Sequence, residues 1–395
     1  MERFDLGEAL EDYDADKIAA SQLLQKESLQ FPDIMAGVAG DFAKVYSGSL
    51  EVPPHFLYMS FLTCLGSILS NRVTLNSELA PQPRLFTLLL GESADDRKST
   101  ALNKTTTFFR DALTEFQVCW GIGSAEGLQK RLEGNPQLLL CLDEFKQFVS
   151  KCKIDGSILL PCVNTLFESN RYESRTKHYD IMLEEVYLSI LAASTVQTYE
   201  RTWDPSFTDI GFNNRLFLVP GSGQRRHSFP AKINHANKRW LQNQTGQIML
   251  FVGNGLELDI ADNARELYHA WYMNLERSIH AKRLDTYALR FMTLLAVNEL
   301  QPEINENIIR KVLRLMNWQL DVRRLHDPID AEGKVAIMEE KIRRQLTIGA
   351  KNDRELKKRV HVERTGLWFY EMAIKNLENA REIRWNKPSK LWEQV

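Results

Sequence analysis

The sequence predicts an α/β protein built on a parallel sheet, and three observations lead there. Short apolar runs recur at Leu85–Leu90, Gln117–Trp120, Gln137–Leu142, Val186–Ala193 and Arg215–Pro220, with helical patterns in the connections. The run Gln137–Leu142 is apolar on both faces, as a strand covered from both sides must be. Three of the runs end in Gly91, in Asp143-Glu144 and in Ser194-Thr195, polar or small residues at the strand ends where open parallel sheets collect their ligands.

Composition sets the outer bounds. The chain has 395 residues, 44% of them hydrophobic and 26% charged, enough for two or three domains and a large core. Cys64, Cys119, Cys141, Cys152 and Cys162 show no close pairing, so buried thiols of a reducing compartment are expected, not disulfides or zinc ligands. The eight histidines are scattered, with no His-x-x-x-His pair. The start, MERFDLGEALEDYDAD, lacks both a basic region and an apolar stretch, so no signal peptide is expected. Phe56–Leu69 is too short to span a bilayer, and the expected location is cytoplasmic. The net charge of −2 hides an asymmetry: residues 1–16 are acidic, whereas the tail after Ala331 is rich in Lys and Arg, which hints at nucleic acid.

Four regions succeed one another along the chain. Residues 1–75 form a helical segment that begins with a charged arm, either frayed or partner-binding, over residues 1–30. Two helices come next, between Phe31 and Asn71, the second opened by Pro53-Pro54. Residues 76–250 form the sheet core. Its first unit, Arg84–Phe109, reads strand, loop, helix, which presents free backbone N–H groups and a helix dipole to a phosphate. Candidate loop residues are Gly91, Ser93, Arg97, Lys98, Ser99 and Thr100. Lys98 suits the β and γ phosphates of ATP, and the Ser99 hydroxyl suits Mg²⁺. Arg97 and Glu92 stand where a P-loop has glycine, and Gly91 comes one place early. A plain βα loop has the same order, so the segment alone leaves both readings open.

Further along, Ser124 is placed to cap a helix through Leu132. Asp143 and Glu144 then close a buried strand. One acid can hold the Mg²⁺ shell and the next can activate a water; alternatively both start a helix, where acids favour the dipole. Residues 159–168 read as helix, and Asn170–His178 as a polar loop with Arg171, Arg175 and Lys177. Ser194, at the end of the fourth run, can sense a γ-phosphate or cap the next helix. Arg215 opens the fifth run. The contents arrive as phosphate loop, spacer strand, paired acids, polar sensor and arginine, the order of RecA-like and AAA+ ATPases.

These motifs carry a family resemblance. Gly91-Glu92-Ser93, Arg97-Lys98-Ser99-Thr100, Gly123-Ser124-Ala125-Glu126-Gly127-Leu128, Leu142-Asp143-Glu144-Phe145, Ala192-Ala193-Ser194-Thr195 and Asn214-Arg215-Leu216-Phe217 together resemble the DUF3987 family. These are RecA-like P-loop ATPases of phages, plasmids and integrated elements, often found beside primase domains. The resemblance spans roughly residues 35 to 325 and rests on the order and spacing of short motifs. It implies ATP and Mg²⁺ as cofactors, with Lys98 on the β and γ phosphates, Ser99 and Asp143 on the metal, Glu144 on the water and Ser194 on the γ-phosphate. Arg215 becomes an arginine finger reaching a neighbouring subunit's site in a ring; its alternative is a salt-bridged strand residue.

Residues 251–330 read as a helical region, with one-face patterns through Asp262–Asp327. The segment Gly221–Trp240, with Arg225, Arg226, Lys232, Lys238 and Arg239, reads as a solvated linker more than a DNA loop, and Arg290 as a helix-surface residue more than a second phosphate sensor. Residues 331–395 have the winged-helix order: a helix over Asp353–Val360, a turn, a helix over Thr365–Ala380, then two extended pieces. Lys357, Lys358, Arg364, Lys375 and Lys387 are the candidate DNA contacts, and Leu367, Trp368, Ile374 and Leu377 the expected core. The acids Glu371 and Glu378 leave open that this module packs on protein instead.

Two functions fit. One is a ring-forming helicase or translocase serving replication of a phage or mobile element, with Arg171, Arg175 and Lys177 gripping single-stranded DNA, duplex DNA at the winged helix, and a primase as a possible companion. The other is a nucleotide-gated DNA-binding regulator or defence-associated ATPase that hydrolyses slowly or not at all.

Overall fold

The computed structural model describes residues 29–92, 96–175, 180–203, 207, 211–224, 226, 228–329 and 333–395. The chain divides into two compact units, a larger one through Val322 and a smaller one over Arg323–Val395, a few residues ahead of the boundary expected at 331. Of the expected N-terminal segment, residues 1–28 lie outside the described residues.

The larger unit contains strands β1 (Val73–Leu75), β2 (Phe86–Gly91), β3 (Val118–Trp120), β4 (Gln137–Leu142), β5 (Tyr172–Arg175), β6 (Asp180–Leu183), β7 (Tyr187–Thr195), β8 (Phe217–Pro220), β9 (Leu256–Ile260) and β10 (Glu303–Ile304). Five of them form one sheet in the order β3-β4-β7-β2-β8, with every pair parallel. All six residues of β2 and the seven inner residues of β7 are buried, so these central strands read as unbroken apolar runs and not as alternating ones.

The two expected N-terminal helices are Gly37–Ser49 and Pro54–Leu69. Pro54 takes the first helical position, where a missing N–H costs nothing. Every residue from Phe56 to Leu69 is buried, and the helix packs across β2, β4, β7 and β8. Its one approach to a strand hydroxyl is satisfied internally: Thr63 Oγ1 donates to Met59 O at 2.7 Å and lies 2.7 Å from Thr87 Oγ1 on β2. Helices Asp262–Met273, Leu284–Asn298 and Glu306–His326 come after the sheet, as expected, but Leu284–Asn298 buries more than one face: every residue from Arg290 to Asn298 is buried.

Three expectations need correction. The polar stretch 170–178 is not simply a loop, because Tyr172–Arg175 pairs antiparallel with β6 as a hairpin. The buried Ile181 and Leu183 alternate there with exposed Asp180 and Met182, a period of two obscured by the surrounding charge. The end of the expected linker, from His235 to Trp240, already belongs to the helix His235–Val252, capped by Asn234, whose side chain accepts from Ala236 N–H. The helical region from 251 also holds strand: β9 pairs parallel with both β1 and β10.

The smaller unit has helices Lys334–Ile348, Asp353–Arg359, Val362–Thr365 and Leu367–Asn379, then an antiparallel hairpin of β11 (Ile383–Asn386) and β12 (Leu391–Gln394). Lys351, between the first two helices, bridges to Trp392 on β12. Met338, Ile342, Leu356, Tyr370, Ala373, Leu377 and Trp392 make its core. Ile374 and Leu377 are buried as expected, but Leu367 and Trp368 are 49% and 60% exposed. The buried stripe of that helix begins at Tyr370, which leaves its first turn outside the core.

Candidate functional site

In a parallel sheet all strands point the same way, so the segments leaving their C-terminal ends gather at one edge. Leu90 and Gly91 lie opposite Ser194 and Thr195, Leu142 lies opposite Ala192, and Leu90 also faces Pro220. The loop after Gly91, the acid pair Asp143-Glu144, the Ser194-Thr195 pair and the segment from Gly221 therefore share the C-terminal edge. Gly221 N–H donates to Leu90 O at 2.9 Å and holds that last segment beside the loop.

The helix Lys98–Ala112 starts at this loop, with Arg97 ahead of it in the left-handed region at φ +52°. Lys98 Nζ donates to Glu92 O at 2.6 Å. Burial lowers the Lys98 pKa against the pull of the Asp96, Glu92 and Asp143 carboxylates, which brings Asp143 within electrostatic range of this ammonium. Ser99 is exposed in the first turn and Thr100 is half-buried; Ser93 lies outside the described residues.

Asp143 and Glu144 are both exposed. Glu144 stands at the N-cap position of helix Phe145–Cys152, yet its side chain makes no capping bond. Of the two hydroxyls ending β7, Thr195 takes the cap, its Oγ1 accepting from Thr198 N–H at 3.0 Å. Ser194 is 7% exposed and donates to Thr195 O at 3.1 Å, so it is not the cap of that helix. Ser124 caps the helix Ala125–Gly134, accepting from Gly127 N–H at 3.2 Å.

Two acids organise the loop, Asp96 and Glu51, and of these the sequence does not single out Glu51. Asp96 is 3% exposed; its carboxylate accepts from Glu92 N–H and, at 2.5 Å, from Gly223 N–H. Burial pushes its pKa up, opposed by those two N–H bonds and by Lys98. A Cβ on Gly91 would fall 2.6 Å from Asp96 Oδ2, so this glycine makes room for the carboxylate. Glu51 is 6% exposed, pairs with Arg97 at 3.2 Å and accepts from Arg226 N–H. The sequence raises the question whether Asp96 or Arg97 fills the space of the phosphates, but an acid in a polar loop carries no signal of burial, so only the structure shows that it is Asp96.

Arg215 is at the other edge. It precedes β8, whose first residue Phe217 lies opposite Thr87 near the start of β2. Its Nη1 donates to Gly211 O at 2.8 Å, its Nε is 3.8 Å from Glu168, and Arg283 pairs with the same carboxylate. The guanidiniums of Arg215, Arg283 and Arg290 stand 6.0, 5.7 and 4.0 Å from the Phe167 ring. Arg290 is not on a helix surface: it is 5% exposed and donates to Arg84 O at 3.0 Å and Phe167 O at 2.6 Å. Burial pulls its pKa down to about 10.

Among the candidate nucleic-acid contacts, Arg171 pairs with Glu184 at 2.7 Å across the base of the β5–β6 hairpin, both side chains exposed. Arg175 ends β5, and its side chain and Lys177 lie outside the described residues, as does Arg225. In the smaller unit Lys358, Arg364, Lys375 and Lys387 are exposed, whereas Lys357 pairs with Asp353 at 2.6 Å and lies over the Tyr370 ring.

Other chemistries find little support. All five cysteines are free and buried, and burial raises the thiols of Cys152 and Cys162 to about 12, far from a neutral-pH nucleophile. Among the described residues no group of three or more His, Cys, Asp or Glu could hold a metal, and no helix is long and apolar enough to cross a membrane. No protein-family model matches the chain, and no curated protein matches it.

Proposed function

We propose that the larger unit is a RecA-like P-loop ATPase core and that the chain is an ATP-driven DNA motor, a ring-forming helicase or translocase serving replication of a phage or mobile element. One observation carries this reading: β7, ending in Ser194, lies between the Lys98 strand β2 and the Asp143-Glu144 strand β4, with all three ends at one edge. An inserted strand of this kind separates the phosphate loop from the acid strand in the motor ATPases, and leaves between them the space where a water meets a γ-phosphate.

The donor set suits Mg²⁺ held with a nucleotide. That ion keeps waters and takes one or two carboxylates plus phosphate oxygens, so Asp143 and the Ser99 hydroxyl suffice without an all-protein cage. The ion supplies charge neutralisation of the phosphates. Lys98 binds the β and γ phosphates once they compete with Glu92 O for its ammonium. Glu144, exposed and uncommitted to capping, accepts the proton of the attacking water. Ser194 holds that water or the γ-phosphate by hydrogen bond.

Arg215, at the opposite edge from Lys98, cannot serve its own subunit's site and fits a role in a neighbour's, which calls for a head-to-tail ring. In the smaller unit the helices, the Lys351–Trp392 bridge and the hairpin support a winged helix, with Lys358, Arg364, Lys375 and Lys387 on phosphates. Arg171 and Arg175, at the two ends of β5, together with Lys177 are the single-strand contacts.

The test is Mg²⁺-dependent ATP hydrolysis with and without single-stranded DNA. We expect DNA to stimulate turnover and Glu144→Gln to reduce it about 10²-fold or more while nucleotide binding survives. Protein that binds ATP but does not turn it over with any nucleic acid belongs instead to the second reading, a nucleotide-gated DNA-binding regulator. The Asp96 carboxylate, seated in the loop meant for phosphate, is the observation that favours it.

A further inference from the structure

We propose that the Asp96 carboxylate is a placeholder for a nucleotide phosphate, and that the backbone N–H of Gly223, on the loop after β8, is a phosphate donor alongside that of Glu92. This rests on the ATP site proposed above, and it adds both a second wall to that site and a built-in competitor.

The geometry is that of an anion bound between two loops. One carboxylate receives N–H bonds from the phosphate loop and from the loop after β8, at the start of a helix and beside the Lys98 ammonium. A side chain 3% exposed that holds two backbone donors from separate loops does what an ordered phosphate oxygen pair would do. The second loop is fixed independently of Asp96. Gly221 packs so closely that a Cβ would sit 2.4 Å from His55 Nε2, and His55 Nε2 is 3.0 Å from Pro220 O. The Gly223 donor is thereby kept near the phosphate loop when the carboxylate leaves.

A triphosphate carries more charge than one carboxylate and reaches Lys98 as well, so it can displace Asp96. The apparent affinity is then reduced by the fraction of molecules whose loop is already open. Removing the carboxylate should tighten binding, the reverse of what loss of a structural acid usually does.

The experiment measures equilibrium binding of a fluorescent ATP analogue with Mg²⁺ to the full chain, as wild type, Asp96→Asn and Asp96→Ala. Thermal melts check that each variant folds, and hydrogen exchange monitors segments 91–97 and 221–226. We expect both variants to bind roughly tenfold tighter or more, a difference of about 1.4 kcal/mol. In Asp96→Ala, segment 221–226 should exchange faster without nucleotide and regain protection with it. Affinity that is unchanged or weaker in folded variants overturns the placeholder, and absence of nucleotide protection at 221–226 overturns the Gly223 donor. Tight binding by Asp96→Ala without turnover in any variant leaves this inference standing and removes the motor. Wild-type turnover with no gain in affinity does the opposite, and absence of nucleotide binding in every variant removes both.

Discussion

The two edges of the central sheet are built from opposite charge. At the C-terminal edge Glu92, Asp96 and Asp143 act on Lys98 and Glu51 pairs with Arg97. At the N-terminal edge Arg84, Arg215, Arg283 and Arg290 gather around Phe167 and Glu168. The acids of the first edge are held by backbone N–H groups, Lys98 and Arg97, whereas the arginines of the second are held by backbone carbonyls and Glu168. In the ring proposed above, a head-to-tail contact between copies would set one edge against the other, and such a contact makes a ring when its rotation closes. Each edge also keeps an internal stand-in: Asp96 sits where a phosphate is proposed, and Glu168 holds Arg215 and Arg283.

The strongest way to break this comparison is to separate the edges onto different subunits. Arg215→Ala and Lys98→Ala should each lower turnover by about 10³-fold, as loss of an arginine finger or of the phosphate lysine does. Mixed, they should recover activity, because some interfaces join an intact loop to an intact arginine. Activity that never rises at any mixing ratio would separate Arg215 from the neighbour's site.

A smaller effect tests whether the arginine edge is structural beneath its surface. Arg290→Ala leaves the Arg84 and Phe167 carbonyls without their donor and opens a cavity under the Phe167 ring, so denaturant melts should show a loss of about 3 kcal/mol. A change below about 1 kcal/mol would mean that Arg215 and Arg283 stand on something other than this buried base.

A third effect, of similar size to the second, is in pH. Burial holds the His55 imidazole neutral at the acidic edge and pulls its pKa down to about 4 from an ordinary 6.5. The unfolded chain then binds more protons than the folded one between about 6.5 and 4. Stability present above that window is lost as pH falls through it, by up to about 1.4 kcal/mol per pH unit. Arg84 and Arg290, lowered only to about 9 and about 10, stay charged there and contribute no slope. His326, which burial also lowers to about 4, adds a slope of the same sign, so His55→Gln, which keeps a donor for Pro220 O, should remove about half of the acid limb of a stability profile; an unchanged limb would assign it to His326 and other groups.

The same contrast explains what was legible in the sequence. Strands buried on both faces leave unbroken apolar runs, so β2, β4 and β7 and the residues at their ends could be read directly. The β5–β6 hairpin could not, because charged neighbours masked its alternation, and β1, β9 and β10 have only two to five residues each. Arg290 looked exposed because a helix pattern shows which side chains could be covered, not which cation finds carbonyls to accept from it. Leu367 and Trp368 looked buried because hydrophobicity alone does not say where a core ends. The displaced glycine at 91 was legible as an anomaly, but its reason was not: it accommodates a carboxylate five residues later.

The helix Pro54–Leu69, buried from Phe56 onward, has a mechanical consequence. It lies across four strands, and at Gly66 its backbone comes so close to the chain entering β2 that a Cβ would overlap Pro83 O. Sliding one strand past the next would drag this helix through close-packed side chains, so the sheet moves as one block. Relative movement is left to the loops at the edges, and even there Pro220 O is held by His55 and the Arg226 N–H by Glu51.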